Sequence, residues 1–217
     1  MCDIWSGELF ERNNFQFSNL LHQMSNGNCI QLTQCRRSSV ELFNIYTHFL
    51  RCDNLHHCIN QARTKFPMTK KNARWNLCIS HKNRRQINKN CWSACIASGV
   101  TQLRTVHIPD EIIQQIFVGL PMIGCANQKQ IINGAFYTVI ELDPIRLQDT
   151  ETGEVICIET EHTKYLRISF AITYHASQGR TLRESTRLWD TNHTYFTMKH
   201  LALGMSRVVS GELLEIA

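Results

Sequence analysis

Where one apolar run ends, the chain gathers an unusual set of groups: residues 171–182 read AITYHASQGRTL. A strand that delivers Thr173, His175, Ser177, Gln178 and Gly179 to a turn puts hydroxyls, an imidazole and main-chain N–H groups in one small space. Such groups grip a phosphate and one face of a base, largely without reading sequence. Gly179 allows close backbone approach or a positive φ. A second candidate lies in NLCISHKNRRQIN, residues 76–88, where Ser80 and His81 fall at a strand-to-helix junction. The free N–H groups and dipole of a helix start bind phosphate. Two arginines, Arg36 and Arg37, close the segment QLTQCRRS at 31–38. Another, Arg207, closes LALGMSRV at 201–208, where Leu201 and Met205 lie four apart on one helical face.

Charge is segregated. The chain carries a formal +5, yet residues 54–109 hold no Asp or Glu and ten Lys and Arg: Arg63, Lys65, Lys70, Lys71, Arg74, Lys82, Arg84, Arg85, Lys89 and Arg104. A surface that tracks phosphates needs such separation, because each neutralised phosphate releases counterion. Ten cysteines are scattered through apolar contexts, Cys78 in NLCIS and Cys157 in EVICIE among them, as buried reduced thiols are. A reducing, intracellular location is expected. Cys52, His56, His57 and Cys58 lack the C-x₂₋₄-C spacing of zinc sites, and Cys91 and Cys95 fit helical packing, so no metal site is expected. Nothing approaches the roughly 18 apolar residues of a membrane span, and no basic-then-apolar leader opens the chain.

The elements that must position these residues follow from periodicity. With 217 residues, 43% of them apolar, the chain can bury one substantial core. Helical spacing predicts a helix over 15–24 stopping at Asn26-Gly27, then a short strand over 29–33. Ser39 caps a helix over 40–50, and Ser80 caps a basic helix over 81–97 after a buried strand at 76–79. From about Thr105 the texture changes to closely spaced strands at 112–118, 122–125, 135–142, 145–149 and 154–159. Turns at 119–121, Asn133-Gly134 and Thr152-Gly153 connect them. After Leu166 the α/β texture returns, with a strand at 186–189, a helix at 196–207 and a strand at 213–216. The fold expected is α/β: a parallel-sheet domain interrupted by a small antiparallel barrel.

These motifs resemble those of superfamily 1 helicases of the RecD-like and Pif-type branch. The family pattern apolar-Thr-x-His-Lys-Ser-Gln-Gly-x-Thr is matched at Thr173, His175, Ser177, Gln178, Gly179 and Thr181, with Ala176 in place of Lys. Arg207 resembles the arginine of A-L-[ST]-R, with Gly204 inside the motif. Residues 31–38 resemble L-T-x-x-x-R-S, which sets Arg37 as the second arginine. Residues 119–142, with Pro121, Asn127, Asn133, Gly134 and Val139 in order, resemble the start of an SH3-like insertion.

The resemblance implies a RecA-like second motor domain over 28–104 and 166–217, an SH3-like insertion over 105–165, and the tail of a first, ATP-binding domain over 1–27. It implies that Thr173, His175, Ser177, Gln178, Gly179, Ser80 and His81 hold single-stranded DNA. It also implies that Arg37 and Arg207 act on the γ-phosphate of ATP, a role worth about 10³–10⁵ in rate. The sequence has no G-x-x-x-x-G-K-[ST] loop and no strand ending in Asp-Glu. ATP and Mg are therefore expected only in a complete enzyme, with an N-terminal RecA-like domain as partner, and no turnover is expected of this chain alone. The alternative is a non-enzymatic remnant that binds single strands.

Overall fold

Local chemistry starts each helix near the site. The Ser39 hydroxyl accepts the Leu42 N–H at 3.3 Å and opens α1, Val40–Phe49. Asn54 Oδ1 accepts the His57 N–H at 3.0 Å and opens α2, Leu55–Lys65. Strand β1, Trp75–Cys78, is followed at once by Ser80, whose hydroxyl accepts the Asn83 N–H at 3.1 Å and starts α3, His81–Ala97. The computed structural model describes Gln23 and residues 35–217 apart from Asp110. The helix expected over 15–24, Gln23 aside, and the strand over 29–33 lie outside the described residues. The chain divides into two units, Met1–Arg36 and Arg37–Ala217; α1 and every later element belong to the second.

The α/β part of that unit is built on four parallel strands. With β9 at Ala171–Thr173, β10 at Thr186–Leu188 and β11 at Leu214–Ile216, the order is β11-β10-β1-β9. The strands are buried along nearly their whole length, as a parallel sheet covered by helices requires, with Asn76, Arg187 and Glu215 among the buried polar exceptions to their apolar residues. Leu77 and Leu188 are fully buried, packed with Leu42 of α1, Ile59 of α2 and Leu201 of α4, Met198–Arg207. Gly204 lies where α4 meets the sheet: a Cβ there would come within 2.7 Å of Leu188 Cδ2 and 3.0 Å of Tyr174 Cε1. The weak helix former is a packing requirement.

Between β1 and β9 the chain departs into an antiparallel body. A short pair, β2 (Arg104–Thr105) with β3 (Gln115–Ile116), precedes a five-stranded sheet. Its strands are β4 (Pro121–Gly124), β5 (Phe136–Leu142), β6 (Ile145–Asp149), β7 (Val155–Ile158) and β8 (Leu166–Ile168), in order β7-β6-β5-β4-β8. The α/β fold with its parallel sheet matches the expectation, and the chain between β1 and β9 forms an antiparallel sheet. The strand expected over 112–118 contracts to Gln115–Ile116; Ile113, Ile116 and Phe117 reach this body's core, Ile113 and Phe117 from irregular chain. Cys157 is also not the buried thiol expected. Along β7 the inward residues are Ile156 and Ile158, so period-2 alternation exposes Cys157. Cys58 and Cys78 are buried, and burial pushes both thiols up to about 12.

Helix α3 joins the two bodies. Its own buried residues are the polar Arg84 and Asn88. Asn88 Nδ2 donates to the Ile168 carbonyl at the end of β8 (2.9 Å), and its Oδ1 accepts the Ala171 N–H at the start of β9 (2.7 Å). Arg84 pairs with buried Glu111, ahead of β3. Further along the helix, Trp92, Cys95 and Ile96 pack on the antiparallel core.

Candidate nucleic-acid interface

The C-terminal ends of β1 and β9 bring two of the sequence candidates together. His81, at the first turn of α3, lines a cleft of about 350 Å³ with Thr173 and His175. Open α/β sheets bind ligands at this edge. The antiparallel body supplies the facing wall through Asn133, Gly134 and Arg167, and Arg84 lines the floor. Ser80 is half-buried behind His81 as the N-cap. Thr173 Oγ1 accepts the Ala176 N–H at 3.2 Å, which leaves its proton to donate. His175 is exposed.

The turn after β9 splits the remaining candidates. Residues His175–Ser177 form a short 3-10 turn, and Ser177 is fully buried, its hydroxyl donating to the Tyr174 carbonyl at 2.7 Å. Ser177 shapes the turn rather than presenting a surface. Gly179 takes φ +76, and it and Gln178 face a second groove on the other side of the turn. Between groove and cleft stands Arg180, which donates to the Gly134 carbonyl and lies 4.3 Å over the Phe136 ring. Gly134, at φ +81, could carry a Cβ only within 2.9 Å of that guanidinium.

The two candidate arginines meet at a different edge. The Arg207 carbonyl accepts the Leu182 N–H at 2.7 Å, and the carbonyl of Val209, two residues on, accepts the Ser39 N–H at 2.8 Å. These bonds draw the end of α4, the chain leaving the turn and the residues beside Arg37 into one place. Arg37 is exposed. Arg207 is half-buried and, among the described residues, its guanidinium bonds only to its neighbour Ser206, at 3.3 and 3.0 Å. Burial, then the nearby Arg37 charge, lowers the Arg207 pKa. Among the described residues no carboxylate pairs with either arginine.

Sequence reasoning missed Asp190. At φ 64, a left-handed conformation that Asp tolerates better than most residues, its carboxylate accepts the Ile79 N–H (2.8 Å) and Asn83 Nδ2 (2.5 Å). It fixes the β1–α3 junction that presents Ser80 and His81. An Asp closing the strand in RLWDTN was the available signal. The acid-free basic stretch, conversely, is not one surface. Arg63 holds the Ala217 carbonyl, Lys65 pairs with Glu41, Arg74 with Glu184, and Arg104 with Leu142, Asp143 and Thr160. The exposed remainder on α3, Lys82 and Lys89, falls on one face with half-buried Arg85.

The fold so assembled, a helix-covered parallel sheet beside an antiparallel body, is shared with solved structures of Pif1 helicases. Three of these neighbours indicate the extent of the likeness. One, of two coordinating Pif1 helicases unwinding forked double-stranded DNA, matches 86% of this chain and 49% of its own at TM-score 0.63 and 20% identity. Bacteroides Pif1 bound to single-stranded DNA matches 86% of this chain and 51% of its own, at 0.56 and 16%. Pif1 from Candida albicans matches 81% and 52%, at 0.55 and 13%. The chain therefore spans about half the length of these proteins. No protein-family model and no curated protein matches the sequence.

Proposed function

We propose that this chain is the second motor domain of a superfamily 1 DNA helicase, and that its antiparallel body is the SH3-like insertion of that branch. One observation carries the reading: the α3 start and the end of β9, 92 residues apart as His81 and Thr173, form one cleft with the insertion as its far wall. His81, Thr173 and His175 bind the sugar-phosphate of a single strand there, while Ser80, Ser177 and Asp190 hold the backbone that presents them. Gln178 and Gly179 continue the contact on the far side of the turn. A positive edge formed by Arg37 and Arg207, with no carboxylate paired to either among the described residues, suits the γ-phosphate of ATP held on a first RecA-like domain, which would also hold Mg. ATP supplies phosphoanhydride cleavage; this chain supplies charge that stabilises it. Leu182, bonded to the Arg207 carbonyl, links that edge to the strand-binding turn.

The test is fluorescence anisotropy with a labelled oligothymidine. Salt-sensitive binding that falls at least about tenfold in a His81→Ala/His175→Ala double variant supports the reading. Binding that the variant leaves unchanged sinks it. Mixing with a separately expressed first domain should produce ATPase activity that Arg207→Ala abolishes, while the chain by itself shows none. Mixed ATPase unaffected by Arg207→Ala would remove the catalytic role and leave a strand-binding module.

A further inference from the structure

The larger groove, about 680 Å³, is used above only along its Gln178–Gly179 edge, and its arginines have no assigned role. It lies on the other side of the strand-binding turn and is lined by Arg74, Arg180, Arg183, Gln178 and Gly179, with Glu151 and Glu184 on its rim. Aromatic rings stand behind it but cannot stack a base. Trp75 and Phe136 are buried, 4.7 Å apart, and a guanidinium covers each ring, Arg74 at 4.4 Å and Arg180 at 4.3 Å. What the groove offers is donors. Arg74 Nη1 is buried with no hydrogen-bond partner. Its Nε reaches Glu184 only at 3.6 Å, a carboxylate that is itself 60% exposed. Gly179 turns at φ +76 with open space beside it, and its N–H and the Arg183 guanidinium make no hydrogen bond among the described residues. A buried, unmatched guanidinium proton is costly, and an anion seated in the groove removes that cost.

We infer that this groove is a second phosphate subsite, taking a backbone phosphate of the same single strand after it passes His175 and Gln178. The inference rests on the strand-binding reading above and extends the path by the length of the groove. Arg183 and Arg74 hold the phosphate, and the Gly179 N–H completes the set. Arg180 is a spacer, fixed by Gly134 and Phe136, so it keeps the cleft and the groove apart. With the rings covered, the subsite distinguishes neither base nor sequence.

The experiment compares a thymidine tetranucleotide with a dodecanucleotide across a salt series, on the whole chain. Arg183→Gln, an exposed position, should weaken the dodecanucleotide about three- to tenfold and leave the tetranucleotide unchanged. It should also flatten the slope of log K against log salt by about 0.7, one single-strand phosphate contact. Arg74→Gln should do the same; circular dichroism confirms its fold, and Arg183→Gln carries the test if it unfolds. Equal loss on both lengths, or an unchanged salt slope, overturns the subsite while leaving the cleft in place. ADP or ATP competing for the groove with the dodecanucleotide bound elsewhere also overturns it. A wild-type chain that binds neither oligonucleotide overturns the strand-binding reading first, and this inference with it.

Discussion

Two buried ion pairs stand among the described residues, and they are held differently. In the parallel sheet, Arg187 Nε donates to Glu215 Oε2 at 2.7 Å; Thr69 donates its hydroxyl (2.7 Å) and N–H (3.3 Å) to the same carboxylate, and Arg187 Nη2 reaches the Thr69 and Lys71 carbonyls at 3.0 and 2.6 Å. At the joint between the two bodies, Arg84 meets Glu111, but Glu111 Oε2 and Arg84 Nε are buried without partners. The titration of the two acids follows. Burial alone would raise Glu215, but Thr69 and Arg187 outweigh it and hold its pKa below the usual carboxylate value. For Glu111 burial wins over the Arg84 charge and hydrogen bond, and its pKa is raised. A desolvated pair stabilises a fold only when the remaining donors and acceptors are matched. The sheet meets that condition and the joint does not, so the joint is the place where the two bodies can part at least cost.

The comparison can be broken at four points. Glu215→Ala should have the largest effect, a loss of about 3–5 kcal/mol in urea unfolding, because Arg187 is left buried and charged. A loss below that of Glu111→Gln would reverse the ranking. Next comes Asn88→Ala, which strips the Ile168 carbonyl and the Ala171 N–H of their partners, at about 1–3 kcal/mol for each group left unmatched; hydrogen exchange should quicken at β8 and β9 ahead of the other strands. Smaller again is Glu111→Gln, expected to cost about 1 kcal/mol: Arg84 is left charged here too, but the amide oxygen still accepts its hydrogen bond and the desolvated carboxylate is gone.

The finest distinction is in pH. The Glu215 contribution is complete above the ordinary value of 4.5 and is lost as pH falls through its lowered folded value. That of Glu111 runs the other way: present below 4.5, it is lost as pH rises through the raised folded value. Thermal melts should therefore show Glu215→Gln flattening the acid limb, and Glu111→Gln relieving the decline just above pH 4.5. The same sign for both variants would mean the two acids share one environment.

What the sequence revealed was whatever is settled within a few residues. Ser39 and Ser80 read as caps and are caps, and Asn133-Gly134 reads as a turn and is one, because each depends on a local hydrogen bond or a positive φ. Helix α2 escaped notice. Its buried face is only Cys58, Ile59 and Ala62, and the adjoining His56 and His57 drew attention to metal chemistry instead. The apolar stretch at 112–118 has no clear period to read, so strand and irregular chain look alike. In the site, residue types were legible but partition was not. Ser177 stands one residue before Gln178, yet a bond to Tyr174 buries it while Gln178 lines the groove. Asp190 and Asn88 act across 111 and 83 residues, separations at which a sequence carries no sign of the partner.

The Asn88 amide also bears on how the chain can close its sheet. Asn76 on β1 bonds the Phe170 carbonyl 94 residues away, so closing the central sheet directly would confine a very long loop. The antiparallel body pairs mostly neighbouring strands and can form early from local contacts. Once β8 has docked, its Ile168 carbonyl lies beside the amide whose other end holds Ala171, and β9 is handed to β1 as if the intervening chain were a short hairpin. The antiparallel body thus shortens the connection that the parallel sheet has to span.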